Sequence, residues 1–266
     1  MKGFILSLQS EFYKSRKTLG FWAAILLPLI LTLLVFIGFY VKSEKMTNMP
    51  GILLWMRFSG AILGIMGSLL LPMFVIFVAY SVNSVEHKAD TWKTLFSLPI
   101  AKWSVYSAKY LYALFLVILS LGLFALFTIG FGNLLGLLKP GLKFSEYHME
   151  VMLLQVYFKL FLSALGILSI QFLLSLLWAD FLKPMGIGFV CTIAGVIMAT
   201  ANWEYDFWFP YASPMMALKT MMPHTKGQNN SQMVIDIFTK DVFVSIVISA
   251  IVFIAGYYIV QKKSVK

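Results

Sequence analysis

Six stretches without a charged residue decide most of what this chain can become. They cover 20–41, 58–85, 110–138, 160–179, 184–203 and 242–261, and each holds 20 residues or more. A bilayer core of roughly 30 Å is crossed by about 20 apolar residues in a helix. A helix also satisfies its own backbone hydrogen bonds where there is no water to do so. A Lys or Asp at mid-span costs about 2.5–3.5 kcal/mol on insertion scales, and none of the six windows carries one. The reading is an all-α integral membrane protein with six transmembrane helices, at about 20–41, 58–83, 110–138, 160–179, 184–203 and 242–261. The alternative count is five, if 160–179 and 184–203 form a re-entrant pair around Asp180–Pro184. A β-barrel is excluded: its strands alternate apolar and polar over about ten residues, whereas Ala23–Leu31 is apolar on every side.

Composition agrees. Of 266 residues 60% are hydrophobic and 12% charged, which excludes both a disordered chain and an ordinary soluble globule. The lone Cys191 excludes a disulfide framework and a Cys-based zinc site. Outside the windows the longest stretch is 204–241, too short for a catalytic domain of typical size. The whole of 1–266 is therefore read as one integral unit. The first window exceeds an ordinary signal-peptide apolar core and no A-x-A site follows it, so it is read as a retained span.

The net charge of +10 asks first which side of the bilayer the Lys residues face, and only then about nucleic acid, which is not expected as a partner. With the N-terminus cytoplasmic, the inside segments hold twelve Lys and Arg against four acids. The longer outside segments hold nine against seven. Both termini inside is the better topology.

Two segments at the inner surface carry further signals. In 1–19, Phe4, Ile5, Leu8 and Phe12 share one helical face, while Ser7, Ser10, Glu11 and Lys14 lie elsewhere. This describes an amphipathic helix in the headgroup plane, its Lys residues toward anionic lipid. The alternative is a solvated basic tail that only sets topology. In 86–109, far longer than a plain helix connection, Ala89, Trp92, Leu95 and Phe96 repeat at helical spacing. Pro99 then forces a turn. Such a short helix fits the groove of a peripheral protein. Equally, Trp92 and Phe96 fit as interfacial anchors.

At this point the chain resembles a known family. An N-terminal amphipathic helix, six spans, and an inner loop with Glu86, Thr91, Leu95 and Leu98–Pro99, followed by Ala108–Lys109, are similar to ABC-2 type permease subunits. Many relatives have Gly where this chain has Asp90. The Asp90–Leu95 version most resembles the lantibiotic (bacteriocin) immunity branch. The resemblance implies a bacterial plasma-membrane permease paired with a second permease subunit and two copies of a cytoplasmic ABC ATPase. It implies that the N-terminal helix and the 86–99 coupling helix touch those ATPases. Glu86, Thr91, Trp92 and Leu95 fall on the contact segment, and Pro99 on its terminating turn. The implied cargo is an amphipathic peptide or lipid-like compound moved outward.

Absent motifs narrow the chemistry. There is no G-x-x-x-x-G-K-[ST] loop for ATP phosphates, so ATP and Mg²⁺ would belong to the partner chain and this chain needs no cofactor. His87, His148 and His224 all fall in loops, where they cannot form an intramembrane proton relay. No H-E-x-x-H occurs, and no span supplies a His to activate its Ser residues, so catalysis by this chain alone is not expected. Lys159 is read as snorkelling at the outer start of the fourth span. Gly60–Gly64, Gly132–Gly136 and Gly195–Ala199 are small-x-x-x-small patterns that allow close helix approach. Pro28 and Pro72 are expected to kink their spans.

The outer segment after 203 is aromatic and Pro-punctuated, with Trp203, Trp208, Pro210 and Pro214, then apolar through Met215–Met222. It reads as short helices dipping back into the outer leaflet, which the resemblance makes an outer gate. An aromatic belt is the alternative. Two functions therefore stand: a permease subunit coupled to a separate ATPase, or a membrane anchor that recruits a partner without transporting.

Overall fold

The computed structural model describes residues 2–47, 49–97, 99–201, 203–219 and 235–262. Among these the chain is helical with no strand. The helices are α1 (Lys2–Ser15), α2 (Leu19–Val41), α3 (Gly51–Ile65), α4 (Leu71–Ala89), α5 (Trp92–Ser97), α6 (Lys102–Leu138), α7 (Glu150–Leu177), α8 (Leu182–Thr200), α9 (Ser213–Lys219) and α10 (Lys240–Lys262). Six helical units are long and apolar enough to cross a membrane, including α3 and α4 joined as one unit. The six candidates agree with the six-span reading, and α7 and α8 are each long and apolar enough to cross a membrane alone.

The helices outrun the charge-free windows. The α3–α4 unit is 39 residues and α6 is 37, or about 58 and 55 Å at 1.5 Å per residue. Hydropathy marks where lipid begins, but backbone hydrogen bonding does not stop there, and Lys and Glu are good helix formers. The 86–109 loop consequently shrinks to residues 90–101, with Glu86 and Lys109 inside helices.

The most buried candidate span is α7, which packs against α4, α6 and α10. The least buried is α2, which lies on α6 and α4. Pro28 sits within α2, and the Thr32 hydroxyl donates to its carbonyl at 2.6 Å. Between α3 and α4, Met66–Leu70 forms a single π-helical turn. Pro72 explains it: a proline has no N–H and its ring collides with the carbonyl four residues back, so the ladder widens by one residue ahead of it.

One end of the bundle is aromatic. Trp55 donates its indole N–H to the Phe144 carbonyl at 2.9 Å and packs edge-on to Phe144 and Phe58. Gly132 makes room for it, since a Cβ there would stand 2.3 Å from the indole ring. Gly195 likewise lies against the backbone of Tyr211, whereas nothing lies within 4 Å of a Cβ at Gly60 or Gly64. Lys159 does not snorkel. It is buried, and its ammonium donates to the Asp236 carbonyl at 2.8 Å, because the chain entering α10 covers it.

Candidate functional site

The charged end of the bundle is built from α1, α4, α5 and α6. The α4 helix stops at Ala89 because Asp90 adopts a left-handed conformation, φ 47° and ψ 36°. The Thr91 N–H donates to the Glu86 carbonyl at 3.1 Å, and the Asp90 N–H to His87. This is the double bond pattern of a Schellman cap, whose left-handed position normally holds Gly or Asn. It gives the Asp90 departure a physical setting, because Asp is one of the few side chains that tolerate this region. The reversal sends α5 back along the end of α4, and the Leu95 N–H donates to Thr91 at 2.8 Å.

Trp92 therefore folds inward. Its indole N–H donates to His87 Nδ1 at 3.1 Å, and His87 Nε2 meets the Ser175 carbonyl at 2.9 Å. An indole can only donate, so Nδ1 accepts and Nε2 carries the proton. One turn earlier the Asn83 amide donates to Ser175 Oγ at 2.8 Å. A polar seam thus joins α4 to α7.

Beneath Trp92 lies a ring of four charges. Lys14 reaches Glu11 at 3.0 Å and Glu86 at 2.9 Å, and Lys109 reaches the other oxygens of the same two carboxylates at 3.0 and 2.5 Å. Each acid meets both cations, so the ring is neutral and spans three helices. Glu11, Glu86 and Lys109 are each 4% exposed or less. The third Lys109 proton goes to the Val82 carbonyl at 3.2 Å, which uses every donor of that ammonium. Its charge also lies 5.6 Å from the centre of the Trp92 ring. Burial works against a charged Lys14, but the carboxylates of Glu11 and Glu86 outweigh it and hold the ammonium above its ordinary range. Among the described residues no cluster of metal-binding side chains occurs. What the ring can do is mechanical. It ties the N-terminal helix to two long spans, and opening it requires charges to be separated or wetted.

The residues singled out in the sequence fall as follows. Glu86 is buried in the ring and presents no surface. Thr91 and Pro99 are exposed, and Trp92 and Leu95 are half-buried. Leu98 and the Phe96 side chain lie outside the described residues. On α1, Phe12 packs on Tyr112 and Phe115 at 4.9 and 4.8 Å, and Phe4 and Leu8 are half-buried. Ile5 points outward instead, with Leu6 and Tyr13. The inward side of α1 is polar: Ser7, Glu11 and Ser15 face α6. Sequence reasoning places Glu11 and Lys14 on the headgroup side of the amphipathic helix, with its Lys residues toward lipid, and uses Lys109 only as the end of a pattern. The stripe Ser7–Glu11–Ser15 at i, i+4, i+8 was the available signal.

At the other end, Trp203 and Trp208 are exposed, while Pro210 and Pro214 are buried. Pro210 lies against Gly166 of α7, and Leu218 of α9 against Gly67 in the π turn. The continuation through Met221, Met222 and Pro223, the 225–231 tip and His224 lie outside the described residues.

A family model described as ABC-2 family transporter protein matches residues 7–195. No curated protein and no solved structure matches the chain.

Proposed function

The chain belongs to the ABC-2 transporter protein family, as a membrane-spanning permease subunit that partners an ABC ATPase, and from that premise we propose that its ring of charges carries ATP-driven movement into the spans. The observation behind this reading is the ring itself: α1, α4 and α6 meet at Glu11, Lys14, Glu86 and Lys109, directly under Trp92 of α5. A partner that pushes α1 moves two long spans with it, because α1 cannot shift without parting buried charges, and a push on α5 reaches α4 and the ring through Trp92, which bonds His87 and lies over Lys109.

Two ATPase copies bind the exposed surface of α5, around Thr91, Leu95 and Pro99, and the outward side of α1. They carry the ATP and Mg²⁺. A second permease subunit completes the membrane half. The charged end faces the bacterial cytoplasm, with both termini inside, as the excess of inner Lys and Arg supports. The cargo is an amphipathic peptide of the lantibiotic type or a lipid-like compound, exported past Trp203, Trp208 and the buried Pro210–Pro214 segment.

The test separates binding from transmission. Leu95→Asp should abolish co-purification of the ATPase while leaving membrane insertion intact. Lys109→Met should keep the ATPase bound but leave its hydrolysis unresponsive to cargo. Full cargo response in Lys109→Met would overturn the transmitting role. Full protection of cells by a complex whose ATPase cannot hydrolyse ATP would instead favour the non-transporting anchor.

A further inference from the structure

Beside the charge ring an open groove of about 640 Å³ runs between the α1–α2 corner and the end of α4. Clefts of roughly 300–1,000 Å³ are the size that holds small ligands. Its floor is one continuous stripe of α4: Phe77, Tyr80, Ser81, Ser84, Val85 and Lys88. The spacing i, i+3, i+4, i+7, i+8, i+11 keeps all six on one face. That stripe is about 16 Å long at 1.5 Å per residue, close to half of a roughly 30 Å hydrocarbon core. Its shallow end is cationic. Lys14 and Lys17 close it from the α1–α2 side, opposite Lys88. Lys14 is already balanced within the ring, whereas Lys17 and Lys88 are exposed and make no ion pair among the described residues. Of the facing acids, Glu11 and Glu86 are neutralised by the ring, which leaves the Asp180 carboxylate, beyond the Phe181 wall and bonded to the Leu182 N–H, as one negative charge against Lys17 and Lys88.

We propose that this groove is a binding site for one anionic phospholipid, its phosphate between Lys17 and Lys88 and an acyl chain laid along the α4 stripe toward Phe77. A free phosphate would use only the rim and leave the floor, with Phe77, Tyr80 and Val85 among its residues, empty. A zwitterionic lipid would use the floor but gain little from two unbalanced ammonium groups. Only a ligand with both an anionic head and a chain of monolayer depth uses the whole feature. The Gly20 N–H donates to Ser81 Oγ at 3.2 Å, which pins α2 to α4 and fixes the floor before any lipid arrives.

The test needs only the purified full chain, so its outcome is independent of any ATPase. Native mass spectrometry from micelles containing phosphatidylglycerol or phosphatidylcholine of the same chain length would count retained lipid. Phosphatidylglycerol should be retained over phosphatidylcholine, and each lysine neutralised should weaken it about fivefold, so about 25-fold in Lys17→Gln/Lys88→Gln. Val85→Trp should also expel the lipid, by filling the groove with no change of charge. Lys42→Gln/Lys45→Gln, at the other end of α2, should leave retention unchanged. Equal loss in that control, equal retention of phosphatidylcholine, or displacement by inorganic phosphate alone would overturn the site.

Discussion

The two ends of this bundle are held together by different physics. At the charged end four ion pairs join three helices, and three of the four charged side chains are buried. At the aromatic end Trp55, Phe58 and Phe144 interlock through ring edges, with one indole hydrogen bond across them. Apolar contact is non-directional and tolerates sliding by fractions of an ångström. A buried ring of charges has one good geometry and a steep penalty elsewhere. The contrast suits an end that is driven and an end that yields.

The largest test of that contrast is to break the ring. Lys109→Met leaves Glu11 and Glu86 buried against Lys14 alone, and should cost about 3–5 kcal/mol in unfolding followed by Trp fluorescence in detergent. The double variant Glu86→Gln/Lys109→Met leaves the neutral Glu11–Lys14 pair. It should cost less than the sum of its parts, with a coupling of about 1–3 kcal/mol. Simple additivity would mean the four charges are neighbours and not a unit.

The aromatic end offers the matching, smaller test. At Gly132 a side chain meets the Trp55 ring at once, so Gly132→Leu forces the indole to move and should cost about 1–3 kcal/mol. Because the clasp yields, cargo-responsive hydrolysis by the associated ATPase should survive that loss. A variant at Gly132 that uncouples hydrolysis as fully as Lys109→Met would erase the distinction between the two ends.

How much of this was legible beforehand depends on the kind of interaction. The spans announce themselves, because a 20-residue apolar window has few other uses. Their ends do not: α3 starts at Gly51 and α4 runs to Ala89 because helix continuation is a backbone matter, indifferent to the lipid boundary. Glu86 stood out as part of a motif, but its burial depends on Lys109, 23 residues on, and on Glu11 and Lys14 in another helix. Periodicity reports which residues share a face. It does not report which face finds a partner, so the sequence puts the polar side of α1 at the headgroups, whereas α6 covers it.

The smallest test sits at Asp90, where the two ends have no counterpart to each other. A left-handed residue other than Gly costs roughly 1–2 kcal/mol, with Asp and Asn at the low end. Placing Gly there removes that strain but adds back some backbone freedom in the unfolded chain, about 0.5–1 kcal/mol. The balance for Asp90→Gly should be a gain of no more than about 0.5 kcal/mol. Asp90→Val, which cannot adopt φ 47° without strain, should lose at least about 1 kcal/mol. Hydrogen exchange at Thr91 and Leu95, whose amides donate to Glu86 and Thr91, reads the same change locally. If the Schellman turn is what aims α5 at the ring, Val should speed exchange there and weaken ATPase binding together. Faster exchange with unaltered binding would show that α5 finds its partner without the turn, and the charged end would then owe its rigidity to the ring alone.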